Sequence, residues 1–226
     1  MASLAQLLAS HRRILVLDAA STRVTVGLLR TDQASIWVES SDDASQGIFR
    51  DTEKALEQAG LSLAAVDAFI FCSGPGSMLG TRTIAMTLRT WLVLKPRPVF
   101  AYQSLAVATR AEWVRQPRAF TLIADARRET WHAQSVTADG VLAPLQRLRA
   151  SELPAGELLT PSEFRAWSAR PANVADCTYD PVTLFPRLGS ADLFRAETAP
   201  DAYQYVAPDY KKWSAQIHSA ETAPKR

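Results

Sequence analysis

A buried strand that runs straight into a glycine turn and then a helix constrains this chain more than any other stretch. Residues 67–73 (DAFIFCS) read as the strand, Gly74-Pro75-Gly76-Ser77 as the turn and residues 78–94 as the helix. Such a unit has to bury one helix face on a sheet, which sets the class as α/β. The turn stands out because glycine is scarce: there are 9 in 226 residues, and Gly74, Gly76 and Gly80 fall close together. In so glycine-poor a chain the cluster marks a backbone requirement, either positive φ or close approach of another main chain. Ser77 fits the N-cap position, its hydroxyl accepting from a first-turn amide. Two readings follow: a tight turn that seats the helix on the sheet, or an anion or ligand contact at the helix N-terminus. The spacing is neither that of GxxxxGK[ST] nor that of GxGxxG.

The rest of the first hundred residues supplies the sheet. Residues 14–18 (ILVLD), 23–29 and 34–38 read as an antiparallel meander, and residues 47–59 as a helix that Gly60 closes. A short strand at 99–101 completes a β-β-β-α-β-α-β order. Residues 1–12 form a short helical or loose extension. In the second half the pattern predicts a helix over 104–115, strands over 119–125 and 130–136, and a short helix over 163–168. Residues 145–200 are richer in proline and weakly periodic, and no internal repeat is visible.

Composition narrows the function classes. With 47% hydrophobic and 21% charged residues the chain is globular rather than disordered. No apolar run reaches the ~18 residues of a membrane span, and MASLAQLLASHRR makes a poor signal peptide because its basic residues follow the apolar ones. Cys72 and Cys177 are isolated, which fits a reduced, cytoplasmic chain. A net charge of +2 does not by itself announce a nucleic-acid binder. His11, His132 and His218 lack paired metal-ligand spacing, so neither a metal nor a cofactor is expected.

Asp18, Ser21 and Thr22 resemble the first phosphate hairpin of the actin, hexokinase and Hsp70 class. An acid at a strand end there holds a metal ion, while small hydroxyls approach phosphate. A capped hairpin turn is the plainer reading. Nucleotide chemistry in that architecture needs a second glycine-rich hairpin, yet after Ala101 only Gly140, Gly156 and Gly189 remain, each isolated. This argues against a self-sufficient kinase or ATPase, the alternative to a non-catalytic role. On the helix over 78–94, Ile84, Leu88, Trp91 and Leu92 mark one apolar face, and Leu79, Met86 and Val93 a second. The second face either lies under the first helix, with its Ile48, Phe49 and Leu56, or meets another protein. Pattern alone favours core.

Together, ILVLDAAST, GPGSMLGTR, Asp125-Ala126-Arg127 before ETWHA, and the late Pro208-Asp209-Tyr210-Lys211-Lys212 resemble the TsaB (YeaZ) family. The matches occur in the family's order between residues 14 and 212. Met78 and Leu79 stand where the family commonly has Phe-Thr. The resemblance implies an ASKHA, or actin-like ATPase (ribonuclease H-like), fold of two lobes with mixed β-sheet flanked by helices. Residues 1–102 plus 205–226 would form the first lobe and residues 103–204 a smaller, divergent second one. It implies a non-catalytic subunit of the machinery that makes threonylcarbamoyladenosine at position 37 of tRNA. Its partners would be a TsaD-like catalytic subunit and a TsaE-like ATPase, with tRNA met only through the complex. A homodimer through the first-lobe helices is the further option. On this reading Asp18, Ser21 and Thr22 are a vestigial hairpin. Gly74, Pro75, Gly76, Ser77 and Gly80 seat the second helix, and Arg82 anchors a neighbouring loop. Asp125 and Arg127 make a strand-end turn, and Ile48, Phe49, Met86, Arg89 and Val93 face a partner.

Overall fold

The computed structural model describes residues 1–204; the lobe segment expected at 205–226, with its Pro208–Lys212 motif, lies outside the described residues. In chain order the elements are α1 (Leu4–Ser10), β1 (Arg13–Asp18), β2 (Val24–Arg30), β3 (Ile36–Ser40), α2 (Ala44–Ala59), β4 (Ala68–Gly74), α3 (Met78–Leu94) and β5 (Val99–Gln103). They continue with α4 (Ser104–Arg115), β6 (Phe120–Asp125), β7 (Thr130–Val136), β8 (Gln146–Arg149), β9 (Leu158–Pro161), β10 (Val174–Cys177), α5 (Pro181–Leu184) and β11 (Arg195–Ala196). The β-β-β-α-β-α-β order is present, and Gly60 caps α2 in the left-handed conformation. The result is an α/β protein of two mixed sheets flanked by helices. No helix among the described residues is long and apolar enough to cross a membrane.

The six-stranded sheet has the order β11-β5-β4-β1-β2-β3 and the five-stranded sheet the order β10-β9-β6-β7-β8. In each, the first strand pairs antiparallel with the second and parallel with a later one: β1 with β2 and β4, β6 with β7 and β9. The two sheets therefore repeat one motif that the sequence did not reveal. The second copy lacks the long helices α2 and α3, and β8, β9 and β10 are only four residues each. β6 and β7 match β1 and β2 in length, but with the long helices gone and the outer strands short, little else is left to align.

β4 and the C-terminal part of β1 are buried on both faces, which explains their unbroken apolar runs. Leu15, Leu17, Phe69 and Phe71 pack under α2 and α3 with Ile84 and Leu88. On the opposite face Ile14, Val16 and Ile70 share one core with Leu105 and Ala108 of α4, Leu122 of β6, and Phe185 and Phe194. A single core thus joins the two sheets, with α4 between them. Although residues 103–204 were expected to form the second lobe, β11 pairs with β5 on the edge of the first sheet. The short helix expected over 163–168 is absent: these residues form turns and bends. The amides of Trp167 and Ser168 serve the Asp125 carboxylate instead of a helix.

Candidate functional site

Asp18 is the last residue of β1 and is buried, at 2% exposure. Its Oδ2 accepts hydrogen bonds from the Tyr102 hydroxyl and, at 2.6 Å, from the Tyr179 hydroxyl. Its Oδ1 accepts from the Ala20 amide at 2.8 Å. The Cys72 sulfur lies 3.7 Å from the Tyr179 hydroxyl. Burial pushes the Asp18 carboxyl above its ordinary 3.8, against the pull of the Tyr102, Tyr179 and Ala20 bonds. The same burial, with the Asp18 charge, raises both phenols. Both carboxylate oxygens are thus committed to donors of the chain itself. Ser21 closes a local turn by accepting from the Arg23 amide at 3.1 Å, and the exposed Thr22 donates its amide to Glu163. Tyr102 and Tyr179 were missed at the sequence level. A physical signal was available for Tyr102 alone: an acid ending an apolar strand needs buried donors, and Tyr102 stands inside the apolar run 99–102.

The glycine turn lies directly on this hairpin. The Ser77 amide donates to Ala20 O at 2.7 Å. A Cβ on Gly76, where φ is 150°, would meet Ala20 O at 2.3 Å, and one on Gly80 would meet Ala19 O at 2.1 Å. Gly74 has φ 110°. Ser77 Oγ accepts from the Gly80 amide at 3.3 Å as the N-cap of α3, and Ser104 Oγ donates to Pro75 O. The face the glycines leave open is covered by hairpin main chain. Arg82 is exposed, and no hydrogen bond or ion pair holds it among the described residues, so it anchors no loop there.

Asp125 closes β6 as Asp18 closes β1. In each, Oδ1 accepts from the amide two residues on, that of Arg127 at 2.6 Å in the second case. Its partners otherwise differ: Asp125 accepts from the Trp167 amide, from the Ser168 amide at 2.7 Å and from the Ser168 hydroxyl at 2.9 Å. Partial burial opposes the charge, but the Ser168, Trp167 and Arg127 amides outweigh it and hold this carboxyl below 3.8. These bonds explain why residues 163–168 are not helical. Between the hairpins, Ser21, Gly76 and Ser77 face Asp125, Arg165 and Trp167 across a cavity of about 20 Å³. That is room for about one water, whereas ligand pockets start at ~300 Å³.

The β6–β7 turn is strained. Arg127, Arg128 and Glu129 have φ of 63°, 52° and 58°, a left-handed run that disfavours any side chain. Arg127→Gly and Arg128→Gly are each expected to stabilise the fold by about 1 kcal/mol, read as a raised urea midpoint at unchanged slope.

On α3, Ile84, Leu88 and Trp91 pack inward, whereas Met86 is 58% and Val93 85% exposed. Leu79 is exposed on the same side. Thr83 and Thr90, between them, donate their hydroxyls back to Leu79 O at 2.8 Å and Met86 O at 3.0 Å. The threonines therefore present methyl groups, and a continuous apolar stripe from Leu79 to Val93 results. Phe49 of α2 is half exposed and meets Trp91 edge-on at 6.1 Å. Ile48, expected on this surface, is wholly buried. One residue on a helix is a ~100° rotation, which turns Ile48 onto the sheet while Phe49 stays outside. Arg89 donates to Pro200 O at 2.7 Å and pairs with Asp201 at 3.5 Å, so it holds the chain's own 200–201 segment.

No family model matches the chain. A search of curated proteins finds no match. Among solved structures, an uncharacterised Pseudomonas aeruginosa protein with similarity to peptidase YeaZ superposes with a TM-score of 0.61 at 21% identity, covering 78% of this chain and 90% of its own. YeaZ from Pseudomonas aeruginosa gives a TM-score of 0.61 at 20% identity, with the same coverage. The chain therefore has a YeaZ-like fold.

Proposed function

We propose that this chain is a non-catalytic scaffold subunit of the complex that makes N6-threonylcarbamoyladenosine at position 37 of tRNA. Its role is to support a TsaD-like threonylcarbamoyltransferase, with a TsaE-like ATPase as the third component. The YeaZ-like fold supports this reading at the level of architecture. The observation that carries it is the filled cleft. The glycine turn rests on the hairpin that would cradle phosphate, and two tyrosine hydroxyls hold the acid that would hold a metal. A chain built this way assists chemistry elsewhere, and the stripe of Leu79, Met86 and Val93, flanked by Phe49, is the surface through which it does so.

The test is co-expression with the TsaD-like subunit of the same organism. The parent is expected to co-purify as a stable complex. Met86→Glu and Val93→Glu each place a charge at an apolar contact and should weaken the complex by about 2 kcal/mol, the size of an interface hot spot. Both side chains are exposed, so the isolated variants should melt as the parent does. Unchanged affinity in both variants would place the interface elsewhere.

A further inference from the structure

We propose that the mouth of the closed cleft is a docking surface for single-stranded nucleic acid, with Trp167 as a base-stacking platform and Arg127, Arg128 and Arg165 as phosphate contacts. Trp167 is 59% exposed, unusual for the largest apolar side chain. Its main chain is anchored by the Asp125 carboxylate, which accepts from its own amide and that of Ser168. The Arg127 guanidinium lies over the indole at 4.4 Å, leaving the rest of the ring to solvent. A fixed aromatic ring beside arginines is the arrangement that takes successive bases and phosphates of a single strand.

The charge at this mouth is available. Several other arginines are tied to carboxylates, as in Arg12–Asp32, Arg13–Asp67 and Arg118–Glu157. Among the described residues Arg127, Arg128 and Arg165 form no ion pair. The Asp125 carboxylate is occupied by four donors of the chain itself but keeps its charge, so it and Glu129 are the acids set against the three arginines at this turn.

The backbone adds an independent argument. Glycine is the residue that the left-handed positions 127 and 128 favour, yet arginine stands at both. Strain kept at a cleft mouth points to side chains that are in use. The cavity beneath, about 20 Å³, is too small for a mononucleotide. A ligand has to lie across the mouth rather than enter it, which favours a strand over a free nucleotide.

This inference goes beyond the scaffold reading, since it concerns the isolated chain and residues away from the α3 stripe. The test is fluorescence anisotropy of the full chain with a labelled oligouridylate of about 12 nucleotides, a length on the scale of single-strand site sizes, over a salt series. The parent is expected to bind with a salt-dependent affinity. Trp167→Ala should weaken binding about tenfold while leaving the salt slope unchanged. Arg127→Gly and Arg128→Gly, which also relieve the backbone, should each make the slope shallower by about 0.7. Arg187→Ala, outside the patch, should change neither. Absence of binding by the parent, or full affinity in Trp167→Ala, would overturn the proposal. So would competition by polyglutamate as effective as by RNA, which would mark the patch as a site for an acidic protein. Co-purification with the TsaD-like subunit is read separately, so failure here leaves the scaffold reading standing.

Discussion

Gly80→Ala is expected to destabilise the protein by about 3 kcal/mol, at the upper end for overpacking because the obstacle is main chain. The added Cβ would lie 2.1 Å from Ala19 O and 3.0 Å from the Ala19 Cβ. No rotamer change removes that overlap. Either α3 lifts from the β1–β2 hairpin or the hairpin bends, and both break the Ser77 to Ala20 hydrogen bond at 2.7 Å. Gly60→Ala is the internal control. Gly60 has φ 64° with nothing within 4 Å of a built Cβ, so only the left-handed conformation is penalised, at about 1 kcal/mol. Urea denaturation of both variants separates close approach from dihedral strain. Equal losses would mean that the glycine turn does not bear on the hairpin.

The second large effect is expected from the double change Tyr102→Phe and Tyr179→Phe. Removing both hydroxyls leaves the buried Asp18 carboxyl with the Ala20 amide and the Cys72 thiol. The loss should be about 3 kcal/mol, that of two hydrogen bonds to one buried carboxyl, and each single change should cost about 1.5 kcal/mol. The pH dependence has a definite sign. Burial raises the folded-state carboxyl above 3.8, so the stability Asp18 contributes is fully present below 3.8 and is lost as pH rises through the raised value. Taking away the tyrosine donors raises the folded value further. The double variant should therefore come closest to the parent under acid conditions and fall furthest behind it above neutrality. Asp125 runs the other way. Its folded value lies below 3.8, so its contribution is present above 3.8 and is lost as pH falls through the lower value. A pH-independent loss in the double variant would mean that Asp18 stays neutral across the range tested.

Much of the first sheet was legible because its signals are local. Apolar periodicity and the proline-flanked end placed α3 at residues 78–94, and the apolar run with a terminal acid placed β1 and Asp18. What failed to show depends on contacts distant in sequence. Tyr179 reaches Asp18 across 161 positions, and no local pattern encodes that meeting. The 163–168 stretch has an amphipathic pattern, yet Asp125 some forty residues earlier takes its amides at Trp167 and Ser168. Ile48 and Phe49 are adjacent apolar residues on one helix. Only the direction of the sheet decides that Ile48 is buried and Phe49 exposed. The second apolar side of α3 was visible as Leu79, Met86 and Val93, but its continuity depends on Thr83 and Thr90 turning their hydroxyls inward. The repeat shared by the two sheets shows in the sequence only as the acid that ends β1 and β6, and otherwise resides in strand order.

The central claim, that this chain assists catalysis rather than performs it, is tested most directly by reconstituting tRNA modification from purified components. The TsaD-like and TsaE-like subunits, the activated threonylcarbamoyl donor and unmodified tRNA are combined with and without this chain, and threonylcarbamoyladenosine is quantified. Modification is expected only when the chain is present, with activity retained in the Asp18→Asn variant and lost with Met86→Glu. Full modification in its absence would contradict the account.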